Sequence, residues 1–167
     1  MQALSQVAPS SAVRLALVGP DWKGGQARIA RLARALGCAD RVHFLGPQYG
    51  AKKWAALRLA DVFVLPSRWD AGPVALLEAL GVGLPAITST ELNPAEELAE
   101  HNAAYLCSPT VRALARGMGT LMSDPTFRKR LGAKAEAWVR YDCSQAVVGQ
   151  GLVRFYEEAL AGNARRP

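Results

Sequence analysis

The chain has 167 residues, half of them hydrophobic, which suits one domain with a substantial core. Its formal net charge is +6, mostly arginine; that fits nucleotide phosphates, anionic membrane surfaces or nucleic acid without choosing among them. Cys38, Cys107 and Cys143 are scattered, and no apolar run approaches the ~20 residues needed to span a bilayer, so a disulfide framework, a zinc site, a signal peptide and a membrane span are all disfavoured and a reducing, cytoplasmic setting is expected.

Gln2–Val7 reads as the tail of a helix, and Pro9, Ser10 and Ser11 as a loop. Val13–Val18 is a strand candidate that stops at Gly19-Pro20. Ile29, Leu32, Ala33 and Leu36 share one face of a helix over 27–36, with Arg28, Arg31 and Arg34 elsewhere and Gly37 at its end. Val42–Leu45 is the next strand, ended by Gly46-Pro47, and a short helix follows over 52–60. Val62–Leu65 is a third apolar run that ends at Pro66. A polar turn with Asp70 and Gly72 comes next, and then Val74, Leu76, Leu77 and Leu80 at helical spacing, closed by Gly81 and Gly83. Pro85–Thr88 is a fourth strand. Asn93 with Glu96 three positions on reads as a capping box, and 103–106 as a short fifth strand. Helices over 111–122, 126–139 and 144–160 complete the chain, before an expected frayed end at Arg165-Arg166-Pro167. The alternation predicts an α/β, Rossmann-like three-layer domain over 1–167: a parallel sheet of about five strands, helices on both faces, and added C-terminal helices.

Gly19–Gln26 follows a strand and precedes a helix, as a phosphate-binding loop would. Gly25 and Gln26 stand where such a loop needs Lys and a hydroxyl, so it reads as a glycine-rich turn beside the site. His43 and His101 read as structural side chains, and no Gly-x-Ser-x-Gly elbow exists. The acid-bearing stretch Leu65–Leu80 is more informative. Asp70 lies in the loop and Glu78 on the helix, eight positions later. Pro73 suits the first helical turn, and the N–H groups of Val74 and Ala75 after it can face a diphosphate. The carboxylates can accept hydrogen bonds from sugar or ribose hydroxyls. The plainer alternative is that Asp70 caps the helix and Glu78 meets solvent; spacing alone leaves both open.

From about Leu15 to Tyr156 the chain resembles the C-terminal, donor-binding half of a GT-B, family 4 retaining glycosyltransferase (glycosyl transferases group 1). The resemblance rests on Leu17-Val18-Gly19, Asp40–Gly46, Ala60–Ser67, Leu77-Glu78-Ala79-Leu80, Gly83-Leu84-Pro85, Asn93–Glu97, Arg128–Val139 and Phe155-Tyr156, in this order. The family motif is two glutamates separated by seven residues. Asp70 and Glu78 keep that spacing, with the first acid one methylene shorter. The resemblance implies that Asp70 binds donor-sugar hydroxyls and Glu78 the ribose. It also implies that Gly72, Pro73, Val74 and Ala75 meet sugar and diphosphate, that Phe44, Gly46 and Lys53 lie near the base, and that Ser67 belongs to the same donor site.

The implied substrate is a nucleotide-diphosphate sugar such as a UDP- or GDP-hexose, with no cofactor, no metal and no nucleic-acid partner. The implied acceptor is a saccharide or a lipid-linked saccharide. The family's acceptor-binding N-terminal domain, the first strand of the donor domain, and the Arg and Lys that neutralise the leaving diphosphate have no counterpart in these residues. Lys23 follows a later strand and is not that Lys. The expectation is therefore a fragment or half of a split enzyme, with weak donor binding and no turnover alone, completed by an acceptor domain in cis or in trans. Two other readings stay open: a non-catalytic nucleotide- or partner-binding module, and half of a sugar-nucleotide epimerase. Peripheral contact of Arg28, Arg31 and Arg34 with the inner membrane face is less favoured than a solvated basic surface.

Overall fold

The computed structural model describes residues 1–7, 13–70 and 72–163. The expected loop at Pro9–Ser11 and the expected end at Arg165–Pro167 lie outside the described residues, as does Ala71. In chain order the elements are α1 (Gln2–Gln6), β1 (Leu15–Val18), α2 (Gly25–Ala35), a 3-10 turn at Ala39–Arg41, β2 (Val42–Gly46), α3 (Gly50–Leu59), β3 (Phe63–Leu65), α4 (Val74–Gly81), β4 (Ala86–Ser89), α5 (Ala95–Glu100), β5 (Tyr105–Cys107), α6 (Val111–Ser123), α7 (Pro125–Tyr141) and α8 (Gln145–Asn163).

All five expected strands form and all their pairings are parallel, but their hydrogen bonds fall into two ladders, β1-β2 and β3-β4-β5. Alternation of side chains across the pleat sorts the core into layers. On one face, Val62 and Val64, Ile87, Tyr105 and Cys107 pack with Leu114, Met118 and Leu121 of α6 and with Phe127 and Leu131 of α7. Met118 also joins the cluster of Leu4 from α1, Ala33 and Leu36 from α2, Leu15 and Val42. So α1, α2 and α6 form one helical layer that passes under both ladders. On the other face, Phe63, Leu65, Ala86 and Leu106 pack with Leu76 and Leu80 of α4, Leu98 of α5, and Ala135 and Trp138 of α7.

Parallel strands joined through a helix cross over right-handedly in about 98% of cases. With that hand, helices on opposite faces mean that the two ladders grow in opposite directions. α3 lies beside α4, so the step from β2 to β3 runs in the same direction as that from β3 to β4; β1 and β3 are therefore the inner strands, and the order across the molecule is β2-β1, then β3-β4-β5. This is a doubly wound arrangement, and the carboxyl ends of β1 and β3 flank its switch point.

Several boundaries differ from expectation for local reasons. The fifth strand starts at Tyr105 because the Ala103 N–H still bonds to Leu98 O at 2.9 Å, closing α5 through Asn102 at φ 49°. No capping box forms at Asn93: turns at Leu92 and Ala95 carry the chain past it, and α5 begins after Pro94 without a side-chain cap. Side-chain caps do start the two helices behind the sheet. The Thr110 hydroxyl accepts the Ala113 N–H at 3.3 Å, and the Asp124 carboxylate accepts the Phe127 N–H at 2.8 Å with Pro125 in the first turn. Arg128 then donates to Leu121 O at 2.6 Å and Met122 O at 3.2 Å, so the open carbonyls of α6 are satisfied by α7.

Candidate functional site

The carboxyl ends of the parallel strands carry the loops from which a ligand site at a switch point is built. The first loop closes on itself. The Asp21 carboxylate accepts the Gln26 N–H at 2.9 Å, and Lys23 and Gly24 take positive φ values of 50° and 68° to make the turn. The first turn of α2, where a phosphate would sit in a phosphate-binding loop, thus holds the chain's own carboxylate. This agrees with reading Gly19–Gln26 as a glycine-rich turn rather than a phosphate-binding loop. The second loop is tied to the first: the Gly19 N–H bonds to Gly46 O at 3.0 Å, with Gly46 at φ 64°, beside a ladder irregularity between Leu17 and Val18.

The third loop carries the acid pair. Asp70 Oδ1 accepts the Gly72 N–H at 3.1 Å, an Asx turn that aims the chain into α4. Pro73, buried, sits one place earlier than expected, as the N-cap of α4 rather than its first helical residue. The Val74 N–H is not free for a diphosphate, because it donates to Gly72 O at 2.8 Å in a tight turn set by Pro73 at ψ 67°. Gly72, Val74 and Ala75 are exposed at this corner, and Ser67 is half-buried. At the end of β3 the Thr88 hydroxyl donates to Leu65 O at 2.9 Å, and Arg68 meets Glu91 at 3.5 Å, so the loop after β3 is held to the loop after β4.

Glu78 is not a plain solvent-facing acid. Its Oε1 accepts from Lys53 Nζ at 2.5 Å, in a pair whose side chains are partly buried. The same ammonium lies 4.8 Å from the Trp54 ring centroid, so a carboxylate and an aromatic face hold it together. Glu78 also lines an open groove of about 510 Å³ between α3, α4 and α7, with Trp54, Arg58, Val74, Leu77 and Val139. The structure thus joins two of the expected site residues directly. Phe44 and Gly46 sit on β2, in the other ladder, and share with Asp70 only the end of the sheet; no hydrogen bond among the described residues links them to either acid.

Sequence reasoning missed the aromatic rim. Trp22, Tyr49 and Trp69 are 74%, 76% and 78% exposed, and they lie in the loops after β1, β2 and β3 respectively. A large aromatic within a few positions after a strand end, where no helical face needs it, was the available signal. Among the described residues no group of three or more His, Cys, Asp and Glu side chains is arranged to hold a metal. No described helix is long and apolar enough to cross a membrane.

A parallel, doubly wound sheet with an acid-bearing strand–loop–helix at its switch point places the chain among the Rossmann-like α/β domains. The profile of glycosyl transferases group 1 matches residues 1–138, and the chain belongs to that family. It is 34% identical over 78% of its length to the exopolysaccharide phosphotransferase of Streptomyces coelicolor, covering 14% of that protein. It is 32% identical over 98% of its length to the D-inositol 3-phosphate glycosyltransferase of Salinispora tropica, covering 35% of it. The chain thus spans well under half the length of these relatives. Among solved structures, HepE from Anabaena in complex with UDP-glucose superposes with TM-score 0.76 at 25% identity, over 93% of this chain and 43% of HepE. Sucrose-phosphate synthase from Thermosynechococcus elongatus gives 0.78 at 25% identity, over 96% and 41%. The fold is that of the GT-B glycosyltransferases.

Proposed function

We propose that this chain is the nucleotide-sugar-binding half of a retaining glycosyltransferase that moves a hexose from a nucleoside diphosphate to a saccharide or lipid-linked acceptor. The observation that carries this reading is the placement of the acid pair. Asp70 lies in the loop between β3 and α4 and Glu78 midway along α4, paired with Lys53, in a chain whose family transfers sugars; this supports the reading. Asp70 takes the sugar hydroxyls through the oxygen not engaged by Gly72. Glu78 takes the ribose through Oε2, while Lys53 holds Oε1 and fixes the carboxylate's direction. Exposed Gly72, Val74 and Ala75, set around buried Pro73, face sugar and diphosphate together with Ser67; Phe44, Gly46 and Lys53 border the base.

The leaving diphosphate needs more positive charge than this corner supplies. The reading therefore places further basic groups and the acceptor site in another domain, in cis or in trans, and predicts weak donor binding without turnover. Three free cysteines suit a reducing, cytoplasmic compartment. A neutral variant of this reading, a nucleotide-binding module with no transfer role, is favoured by the Asx turn, which gives Asp70 a structural job of its own.

Calorimetric titration with UDP- and GDP-hexoses tests the proposal. Each acid contributes one charge-assisted hydrogen bond of about 1.5–3 kcal/mol, so Asp70→Ala and Glu78→Ala should each weaken binding about tenfold or more. EDTA should leave the titration unchanged. Absence of any nucleotide-sugar binding would sink the donor-site reading, a metal requirement would sink its metal-free form, and sugar transfer by the chain alone would sink the half-site form.

A further inference from the structure

Trp22, Tyr49 and Trp69 are the three most exposed aromatic side chains among the described residues. They stand in the loops after β1, β2 and β3, so all three lie at the carboxyl end of the sheet. The segments that lead into the five strands, 8–14, 36–41, 60–62, 82–85 and 101–104, contain no Phe, Trp or Tyr. A lone exposed aromatic needs no explanation. Three at one end of a sheet, with none at the other, do.

None of the three rings belongs to a core cluster among the described residues. Their backbones are nevertheless fixed. Trp22 O accepts the Gly25 N–H at 3.0 Å, and Asp21 beside it holds the Gln26 N–H. Tyr49 is the N-cap of α3, and Gln48 before it donates from Nε2 to Leu45 O at 2.7 Å. Trp69 stands between Arg68, which meets Glu91, and Asp70, which holds the Gly72 N–H. The bond from Gly19 N–H to Gly46 O ties the first two loops to each other. A ring on a fixed backbone with no packing partner loses little freedom when a ligand covers it.

Charge and span say what that ligand is. The chain carries +6 overall, but the rim is balanced: Asp21 and Lys23 flank Trp22, Arg68 and Asp70 flank Trp69, and neutral Gln48 precedes Tyr49. A polyanion would meet two carboxylates there and find no net attraction. An uncharged ligand has no such penalty. Neighbouring strands lie about 4.8 Å apart, and in the order β2-β1-β3 the rings run Tyr49, Trp22, Trp69. The rim therefore crosses roughly 10 Å or more, wider than one sugar or one base ring. A pyranose offers an aromatic ring an apolar face of C–H groups and carries hydroxyls around its edge. The rim matches both parts: Lys23 and Arg68 donate, and the Asp21 oxygen not engaged by Gln26 accepts.

We propose that Tyr49, Trp22 and Trp69 form a platform for an uncharged hexose chain, one pyranose face to each ring, along the carboxyl end of the sheet. The platform uses neither Asp70 nor Glu78 as a ligand group and fills without nucleotide, so it stands whether or not a nucleotide sugar binds. On the donor-half reading, the sugar units it carries are those of the acceptor remote from its reacting end.

The test is calorimetric titration of the 167-residue chain, without nucleotide, against cellohexaose, maltohexaose and mannohexaose, the corresponding disaccharides, and hexauridylate. The expected result is binding of at least one hexasaccharide, about tenfold or more tighter than its disaccharide, because several rings act on one chain. Trp22→Ala, Tyr49→Ala and Trp69→Ala should each weaken it about fivefold or more, while phenylalanine at the same positions keeps most of the affinity. Binding of none of the three hexasaccharides overturns the proposal. So does equal affinity for hexasaccharide and disaccharide, tighter binding of hexauridylate, or undiminished affinity in the alanine variants. Should an alanine variant not fold, glycine replaces alanine in the polar neighbour's stead at no ring, and the phenylalanine series decides: retained affinity supports the platform and lost affinity overturns it. UDP-glucose is titrated in parallel. UDP-glucose binding without oligosaccharide binding removes the platform and leaves the donor site; the converse removes the donor site and leaves the platform.

Discussion

The Asp70 carboxylate accepts the Gly72 N–H at 3.1 Å and is also the acid assigned to the donor sugar, so its two roles need different substitutions to separate them. Asparagine keeps an oxygen for the Gly72 N–H but loses the charge, whereas alanine loses both. Asp70→Asn should retain the melting temperature and lose most donor affinity. Asp70→Ala should lose that affinity and also about 0.5–1.5 kcal/mol of stability. Urea unfolding beside calorimetric titration checks both, and full donor affinity in Asp70→Asn would remove the charge from the site. The cysteines make a second residue-scale prediction. Burial pushes the thiol of Cys107 up, and burial pushes Cys143 up too, with the nearby Asp142 and Glu97 carboxylates adding to it. In the unfolded chain thiols ionise from about pH 8.5. There the unfolded state sheds protons that the folded state keeps, so these groups contribute stability in full below that pH and lose it as pH rises. A Cys107→Ala/Cys143→Ala variant should therefore show a smaller fall in unfolding free energy between pH 7.5 and 9.5 than the parent. An equal fall would show that neither thiol differs between the two states.

Two glycines in the helices behind the sheet look alike in sequence and should behave in opposite ways. A Cβ on Gly132 of α7 would stand 2.2 Å from the Gly83 carbonyl oxygen, where α7 crosses the turn between α4 and β4. A Cβ on Gly119 of α6 would meet nothing within 4 Å. Gly132→Ala must push α7 away from α4, the helix that carries Glu78, and should cost about 1–3 kcal/mol. Gly119→Ala should stabilise by roughly 0.5–1 kcal/mol through helix propensity alone. Denaturant midpoints decide it, and equal shifts would mean that α7 is not packed this tightly. The elements themselves were legible because the strands are short, mainly apolar runs and the first three are closed by glycine or proline, as Val42–Leu45 is by Gly46-Pro47. What stayed illegible is long-range. The Lys53–Glu78 pair joins positions 25 apart on different helices. The diphosphate-facing N–H of Val74 is lost to a turn that depends on the backbone angles of one proline. No periodicity carries either fact.

At the scale of the whole molecule, strand count and direction could be read from the chain, but the division into two ladders could not, because it depends on which strands lie inside. The same limit applies to α8. Its 19 residues have a clear helical pattern, with Val148, Leu152, Phe155, Tyr156 and Leu160 available as an apolar face, and the resemblance counted Phe155-Tyr156 among the closing helices. In the structure every residue over 145–161 is exposed, and none belongs to any of the three core clusters. The body of the chain instead closes at α7, where Leu131, Ala135 and Trp138 are buried. An isolated helix of this length is marginal in water, since most helical stability in proteins comes from packing an apolar face. Deleting 145–167 should therefore leave the melting temperature of the remaining domain within about 1–2 °C, a change of less than ~0.5 kcal/mol. In the full chain the amides of α8 should exchange as fast as open loops, while those of β4 exchange only by global opening. If the deletion instead lowers the melting temperature by several degrees, α8 folds back onto the domain in solution and its apolar face is part of the core.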